Sequence, residues 1–395
     1  DHCLPAEASD GPAEGCVTAH WIFLSRVLFQ VTGEPRYADA IETALYNYLL
    51  ASQRPQDCHQ SYNTGMNGEK TFQKHDVRDA VGKAPCCLTS VMREIARTPE
   101  AVWTRFASGG LGVVLYTAGS IEDTIQTQSG PLPVRVTMDT DFPASGRVTL
   151  RVQPRKPAYF RLALRVPGWA KDFTATVAGR MRSGTPGQFL DLEREWKDGD
   201  TVTIAMDLNE RLVPGGASYP GHFAFMRGPQ VLTLVTSKGA EGRLAGARVK
   251  ADANPALQPM GDFLPAGWIG GQAYRSPALA GADGCALVPF GDAGQPGLPL
   301  QFRTWIALEP GTGVPAPPTA SALRATVLTG NRIELSWQGA ARHADGWRIE
   351  RKRADVGLWF HVKTTASGVT RCVDDSVNVV LPSKTYTYRV AAFNA

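Results

Sequence analysis

Glu14 and Cys16 stand two residues apart, and the adjacent pair Cys86-Cys87 follows about seventy residues later. Neighbouring cysteines rarely bond to each other, because the small ring strains the disulfide, whereas both can turn toward a soft cation. Three thiolates and a carboxylate complete a tetrahedral zinc shell. The pattern therefore points to zinc held by Glu14, Cys16, Cys86 and Cys87. A single cysteine is more often a buried apolar side chain. A Glu-x-Cys step combined with a vicinal pair is what sets these four apart. Residues two apart face different sides of a regular helix, so Glu14 and Cys16 converge only at a helix entrance.

The chain has seven cysteines, an odd number that excludes complete internal pairing, and Cys3, Cys16, Cys58, Cys86 and Cys87 fall in its first quarter. That asymmetry suits a thiolate site better than a disulfide framework. With 395 residues, 43% of them hydrophobic, the chain is long enough for two to four domains. Its net charge of +4 comes without a basic run, which gives no footprint for nucleic acid or an anionic membrane. The most apolar stretch, Trp21 to Val31, carries Arg26 in its middle and reads as an amphipathic core helix, so no membrane span is expected. The chain opens at Asp1 without an export signal or a methionine.

Two elements must position the cluster. Val17, Trp21, Leu24, Leu28 and Val31 recur at helical spacing, Gly33 stops that helix, and Pro35 fits the first turn of the next. The second helix buries Tyr37, Ile41, Leu45, Tyr48 and Leu49, making an antiparallel hairpin of the kind that builds α/α barrels. A polar loop from Gln53 to Ala84 leads to a short helix after Cys87. Beyond Gly109 the period changes to two. Strands are expected at Gly112 to Tyr116, Pro133 to Met138, Arg147 to Val152, Tyr159 to Val166, Phe173 to Val177, Phe189 to Leu192, Thr201 to Leu208 and Phe223 to Val235. Many short strands with regular turns indicate a β-sandwich. Ser237 to Pro299 continues the β region with long loops, and Leu300 to Leu308 is a further strand. A Pro/Gly linker, Gly311 to Pro318, precedes a last all-β unit. The expected fold class is multidomain, α then β. Its parts are a partial (α/α) barrel over 1–108, a β-sandwich over 109–213, a second β-sandwich region over 214–310 and a final sandwich over 316–395.

The last unit resembles a fibronectin type III domain. Ile333-Glu334-Leu335-Ser336-Trp337 and Trp347-Arg348-Ile349-Glu350-Arg351 look like its core-tryptophan and central strands, and Leu381-Pro382 with Tyr386-Thr387-Tyr388 like its tyrosine corner. The region from about Gly11 to Leu308 resembles glycoside hydrolase family 127, the β-L-arabinofuranosidase group. Glu14-Gly15-Cys16 is similar to the family's Glu-x-Cys, Cys86-Cys87 to its cysteine pair, and Thr32 to Asp39 with Glu42 to Asn47 to its helical run. Leu164-Arg165-Val166-Pro167-Gly168-Trp169, Trp196-Lys197-Asp198-Gly199-Asp200 and Arg227-Gly228-Pro229 are similar to its sandwich motifs.

That resemblance implies a retaining exo-glycoside hydrolase on plant-type glycans, secreted or periplasmic. In it Cys86 is the nucleophile, and zinc is held by Glu14, Cys16, Cys86 and Cys87. A zinc-bound thiol is deprotonated, which agrees with a thiolate nucleophile at neutral pH. Retention also needs a carboxylic acid opposite the nucleophile. The family's acid falls at or before the start of this chain, and Asp1 is the residue that could stand for it. Glu42 and Tyr62 fall where the family contacts sugar hydroxyls. His20, His59 and His75 stay unassigned. After the pair the chain reads Leu88-Thr89-Ser90, departing from the family and leaving the sugar open.

Two rival readings remain. One is a noncatalytic carbohydrate-binding or scaffold protein with a structural zinc site, in which Trp169, Trp196 or Trp268 stacks on sugars. The other is a zinc amide hydrolase, which a shell filled by three thiolates disfavours.

Overall fold

The structure, a computed structural model, describes residues 13–54, 60–61, 63–70, 86–215, 219–237, 239–250, 254–261, 263, 265, 267–295, 297–309, 320–328, 332–339, 346–354, 359–366, 369–374 and 385–393. Asp1, Cys3, Cys58, His59, Tyr62 and His75 lie outside them, as do the Gly311 to Pro318 linker and Leu381-Pro382. The chain forms two compact units. The first comprises 1–213, 223–249 and 253–307; the second comprises 214–222, 250–252 and 308–395.

The first unit opens with helix α1 (Gly15–Thr32) and helix α2 (Pro35–Ala44). Gly33 ends α1 at φ 70°, a left-handed conformation that glycine adopts without strain, and its N–H donates to Phe29 O at 2.8 Å. Pro35 starts α2, and a π-helical turn, Leu45–Leu49, extends it. Helix α3 (Cys86–Ala96) packs against α1. On the second helix Ile41, Leu45, Tyr48 and Leu49 are buried, as the periodicity indicates, while Tyr37 at its start is only half-buried. Helix α1 differs. It buries Ala19, Ile22, Ser25, Arg26 and Phe29, while Val17, Trp21, Leu24 and Val31, the stripe that recurs at helical spacing, are exposed, Val31 at 78%. The buried face is polar in part because Arg26 reaches Glu94 of α3 at 3.3 Å, with side-chain exposures of 5% and 0%. Among the described residues three helices form this layer, and they do not by themselves make a barrel wall.

Two sheets follow. The larger has six strands in the order Arg180–Ser183, Phe173–Val177, Asp200–Met206, Arg147–Pro154, Gly130–Thr140 and Gly119–Thr127. The smaller has four, Phe189–Trp196, Ala158–Arg165, Leu111–Val113 and Trp103–Arg105. Alternation places Leu162, Leu164, Leu192 and Trp196 of the small sheet, with Val136, Leu150, Val202 and Ile204 of the large one, in a shared core. Trp196 is fully buried, and its indole N–H donates to Phe160 O at 3.1 Å, a core anchor. A further sheet is built around Gln230–Ser237, and its strand Leu300–Arg303 pairs with Asn67–Gly68 from the helical region.

Behind that pairing Lys70 is buried, donating to Phe290 O at 2.5 Å and Gly291 O at 3.3 Å. Burial pulls its pKa down to about 7. Between about 7 and the ordinary lysine value the unfolded chain binds the extra proton, so stability rises with pH across that window. Thermal unfolding followed from pH 6 to 10 is expected to show this rise, and Lys70→Met to flatten it. An unchanged slope in the variant counts against the assignment.

The second unit carries two three-stranded antiparallel sheets. One is Ser321–Val327, Ile333–Gln338 and Arg371–Asp374; the other is Trp359–Ala366, Gly346–Arg353 and Tyr386–Phe393. Trp337 and Trp347 meet edge to face in its core, with centroids 6.1 Å apart. This arrangement is compatible with the expected β-sandwich. No helix among the described residues is long and apolar enough to cross a membrane.

Candidate metal centre

Glu14, Cys16, Cys86 and Cys87 come together at the N-termini of α1 and α3. Glu14 is the N-cap residue of α1, held extended at φ −89°, ψ 131° by the pairing of Ala13–Glu14 with Asn63–Thr64. Cys16 lies in the first helical turn, so the two converge from a helix entrance, the only arrangement that residues two apart allow. Cys86 and Cys87 open α3. Helix N-termini carry partial positive charge and favour the thiolate form. The Cys16 backbone N–H also donates to Cys87 Sγ at 3.3 Å.

One ligand atom from each residue lies within 4.8 Å of the others. The Cys16 and Cys86 sulfurs are 3.6 Å apart, and those of Cys86 and Cys87 3.9 Å apart. Glu14 Oε1 stands 3.0, 3.6 and 3.8 Å from the sulfurs of Cys16, Cys86 and Cys87. Metal–sulfur bonds of about 2.3 Å at the tetrahedral angle put sulfurs about 3.8 Å apart, with slightly shorter sulfur–oxygen edges. The four residues therefore fit a single tetrahedral ion. Without an ion the thiols hold their protons: burial pushes Cys87 up to about 11, and burial with the hydrogen bond to Glu14 pushes Cys16 up as well. Exposure separates the pair, since Cys86 is exposed and Cys87 only 1% accessible.

Gly15 lets the two helix ends meet. A Cβ there would lie 2.9 Å from Val91 Cγ2 and 3.5 Å from Cys87 Cβ, and Val91 is wholly buried. Gly15→Ala is expected to push α1 off α3 and weaken metal retention roughly tenfold or more, about 1.4 kcal/mol, measured by competition with a chromogenic chelator. Unaltered affinity would mean that the helices yield freely. Sequence reading overlooked this glycine; its signal was its place between two ligands.

The other expected site residues lie elsewhere. Asp1 and Tyr62 are outside the described residues. Glu42 is 0% exposed. Its Oε1 accepts from the Arg165 guanidinium, and its Oε2 from the Trp169 indole N–H at 2.8 Å. Burial pushes the Glu42 carboxyl up against the pull of Arg165, but both partners are donors, so the carboxylate is the form this pocket accommodates. Glu42 thus has no accessible surface, both its oxygens are engaged, and it joins α2 to the sandwich. Trp169, half-buried and stacked on Phe142, belongs to the same junction. His20 is exposed beside the cluster, one ring nitrogen 2.7 Å from Cys16 O.

Residues 1–100 match the family model described as β-L-arabinofuranosidase, GH127 catalytic domain, and residues 110–208 match the GH127 middle domain. Among solved structures, one described as a glycoside hydrolase superposes with a TM-score of 0.61 at 20% identity, over 76% of this chain and 53% of its own. A GH127 β-L-arabinofuranosidase from Geobacillus stearothermophilus T6 gives 0.59 at 20% identity, over 77% and 51%. Another GH127 β-arabinofuranosidase gives 0.59 at 18%, over 76% and 50%. The chain thus spans about half the length of these structures, and the likeness concerns the fold. No curated protein matches it in sequence. The two family matches follow one another along the chain and together take in about half of it, and the chain belongs to the GH127 β-L-arabinofuranosidase family.

Proposed function

We propose that this chain is the metal-bearing part of a retaining exo-glycoside hydrolase of the β-L-arabinofuranosidase type, with a plant-type glycan as substrate and Cys86 as nucleophile. The observation that carries the reading is the convergence of Glu14, Cys16, Cys86 and Cys87 at tetrahedral spacing from segments 70 residues apart. Three thiols with one carboxylate suit zinc, which when bound would keep the sulfurs deprotonated at neutral pH. Cys87, buried, serves as an anchor, and Glu14 and Cys16 hold the opposite side. The exposed Cys86 sulfur can reach the anomeric carbon from solvent. Its attack displaces the aglycone oxygen and forms a sulfur–carbon bond; a carboxylic acid protonates the departing oxygen, then deprotonates the water that releases the sugar. Asp1 is our candidate for that acid.

The exposed stripe Val17, Trp21, Leu24 and Val31 supports a partial α/α barrel, because such a face on one helix of a hairpin is what a further barrel helix would cover. The division at 1–108, 109–213, 214–310 and 316–395, the fibronectin type III assignment of the last part and a secreted or periplasmic location belong to the same proposal.

The test uses the full-length parent protein with zinc. Incubation with an aryl β-L-arabinofuranoside carrying a good leaving group, and a 2-fluoro substituent that slows hydrolysis of the intermediate, should trap a glycosyl adduct on Cys86, located by peptide mass spectrometry, and Cys86→Ser should abolish turnover. Stoichiometric zinc without turnover of any arabinofuranoside, and without an adduct, would sink the catalytic reading and leave a structural zinc site.

A further inference from the structure

The outward face of the small sheet changes character along its length. Opposed residues of its strands Phe189–Trp196 and Ala158–Arg165 pair as Phe189 with Arg165, Asp191 with Ala163, Glu193 with Arg161 and Glu195 with Tyr159. At one end this face is covered by the helices, with Arg165 on Asp39 and Glu42 and Phe189 against Phe29. At the other the cover stops, and Tyr159 stands 57% exposed. A cleft of about 570 Å³ opens there, within the range of small-ligand sites.

The cleft has a fixed wall. Gly109 and Gly110 take consecutive positive φ values of 94° and 90°, and a Cβ on Gly110 would lie 2.4 Å from Arg161 O. Only glycine lets that turn settle against the strand. Arg161 is oriented in turn: Nε and Nη2 each lie 2.7 Å from Asp191 Oδ1, and the guanidinium sits 4.1 Å over the Phe106 ring. Four further side chains lining the cleft, Tyr159, Glu193, Gln126 and Gln128, make no hydrogen bond or ion pair among the described residues.

The geometry points to a second glycan-binding site here, in which Tyr159 stacks on the C–H face of a sugar while Glu193 and the two carboxamides take its hydroxyls. An exposed ring beside unpaired carboxylate and amide groups matches a ligand with one apolar face and a rim of hydroxyls. Neither a nucleic acid nor an anionic lipid fits, since both carboxylates lie in the cleft and its one guanidinium is already paired. The site rests on the glycan reading proposed above, and it would hold the polymer while the cysteine centre works on a chain end.

Affinity electrophoresis of the full-length zinc protein in gels containing debranched arabinan, arabinoxylan or dextran tests it. Retardation is expected in at least one of the two arabinose-bearing gels, lost roughly tenfold in Tyr159→Ala and kept in Tyr159→Phe. Tyr159→Ala should leave turnover of the small aryl glycoside unchanged, and Cys86→Ser should leave retardation unchanged. That last pair separates this site's failure from failure of the catalytic reading. No retardation of the native protein in any gel, or retardation that survives Tyr159→Ala, overturns the proposal.

Discussion

Arg165→Met is expected to destabilise the first unit by about 3–5 kcal/mol, because it strips the counter-charge from a buried carboxylate. Arg165 and Glu42 are both 0% exposed. The guanidinium donates to Glu42, to Asp39 and to Val114 O, so each of its three nitrogens is engaged. Asp39 keeps the Gly168 N–H at 3.1 Å and Glu42 keeps the Trp169 indole at 2.8 Å, but neither neutral donor balances a buried charge. Glu42 would then have to protonate or the junction open. The double variant Arg165→Met with Glu42→Leu should recover much of the loss, since apolar side chains of similar volume can replace a buried ion pair. Urea unfolding of the four members of the cycle measures it. A single variant within 1 kcal/mol of the native protein would show that the junction is wet. Arg165→Lys serves if the methionine variant does not fold, and should cost less while losing the forked geometry.

How far such a junction can be read in sequence depends on the distance between its partners. The cluster of Glu14, Cys16, Cys86 and Cys87 was legible because such a donor set is rare and each half is local, a Glu-x-Cys step and an adjacent pair. The hairpin was legible from Gly33 and Pro35, and the strands Arg147–Pro154 and Phe173–Val177 from strict alternation. Gly119–Thr127 was not: only Ile125 of its side chains is buried, so an edge strand with Glu122 and Asp123 carries no apolar period. Phe223 to Val235 reads as one strand but folds as two, Tyr219–Arg227 and Gln230–Ser237, because Gly228 turns the chain at φ 53°. The buried surroundings of Glu42 are illegible for a deeper reason. A carboxylate on a helix looks solvated until its partner is known, and Arg165 lies 123 residues away. On α1 the periodicity found the richer apolar stripe, whereas the buried face uses Ala19, Ser25 and an Arg26–Glu94 pair that no hydrophobic scale selects.

Cys87→Ser is expected to abolish stoichiometric metal binding, with a larger structural effect than Cys86→Ser. Both variants remove a sulfur ligand, but Cys87 is buried between the helix ends and also accepts the Cys16 N–H, whereas Cys86 is exposed. A hydroxyl is too hard and too basic to replace the thiolate. A metal at a thousand times its dissociation constant stabilises the fold that binds it by about 4 kcal/mol, so Cys87→Ser or prolonged chelation should lower the melting temperature by several degrees. The effect should centre on the first turns of α1 and α3, which hydrogen exchange can resolve. Cobalt substitution gives an independent reading: a sulfur-to-metal charge-transfer band with tetrahedral ligand-field intensity in the native protein, absent in Cys87→Ser. The pH dependence has a definite sign. With the metal-free Cys87 thiol pushed up to about 11 and Cys16 raised as well, binding must expel protons, so apparent affinity should rise steadily from pH 6 to 9. A flat profile, or a cobalt spectrum without thiolate character, would mean that the four side chains meet without sharing an ion, and the case for a thiolate nucleophile would go with it.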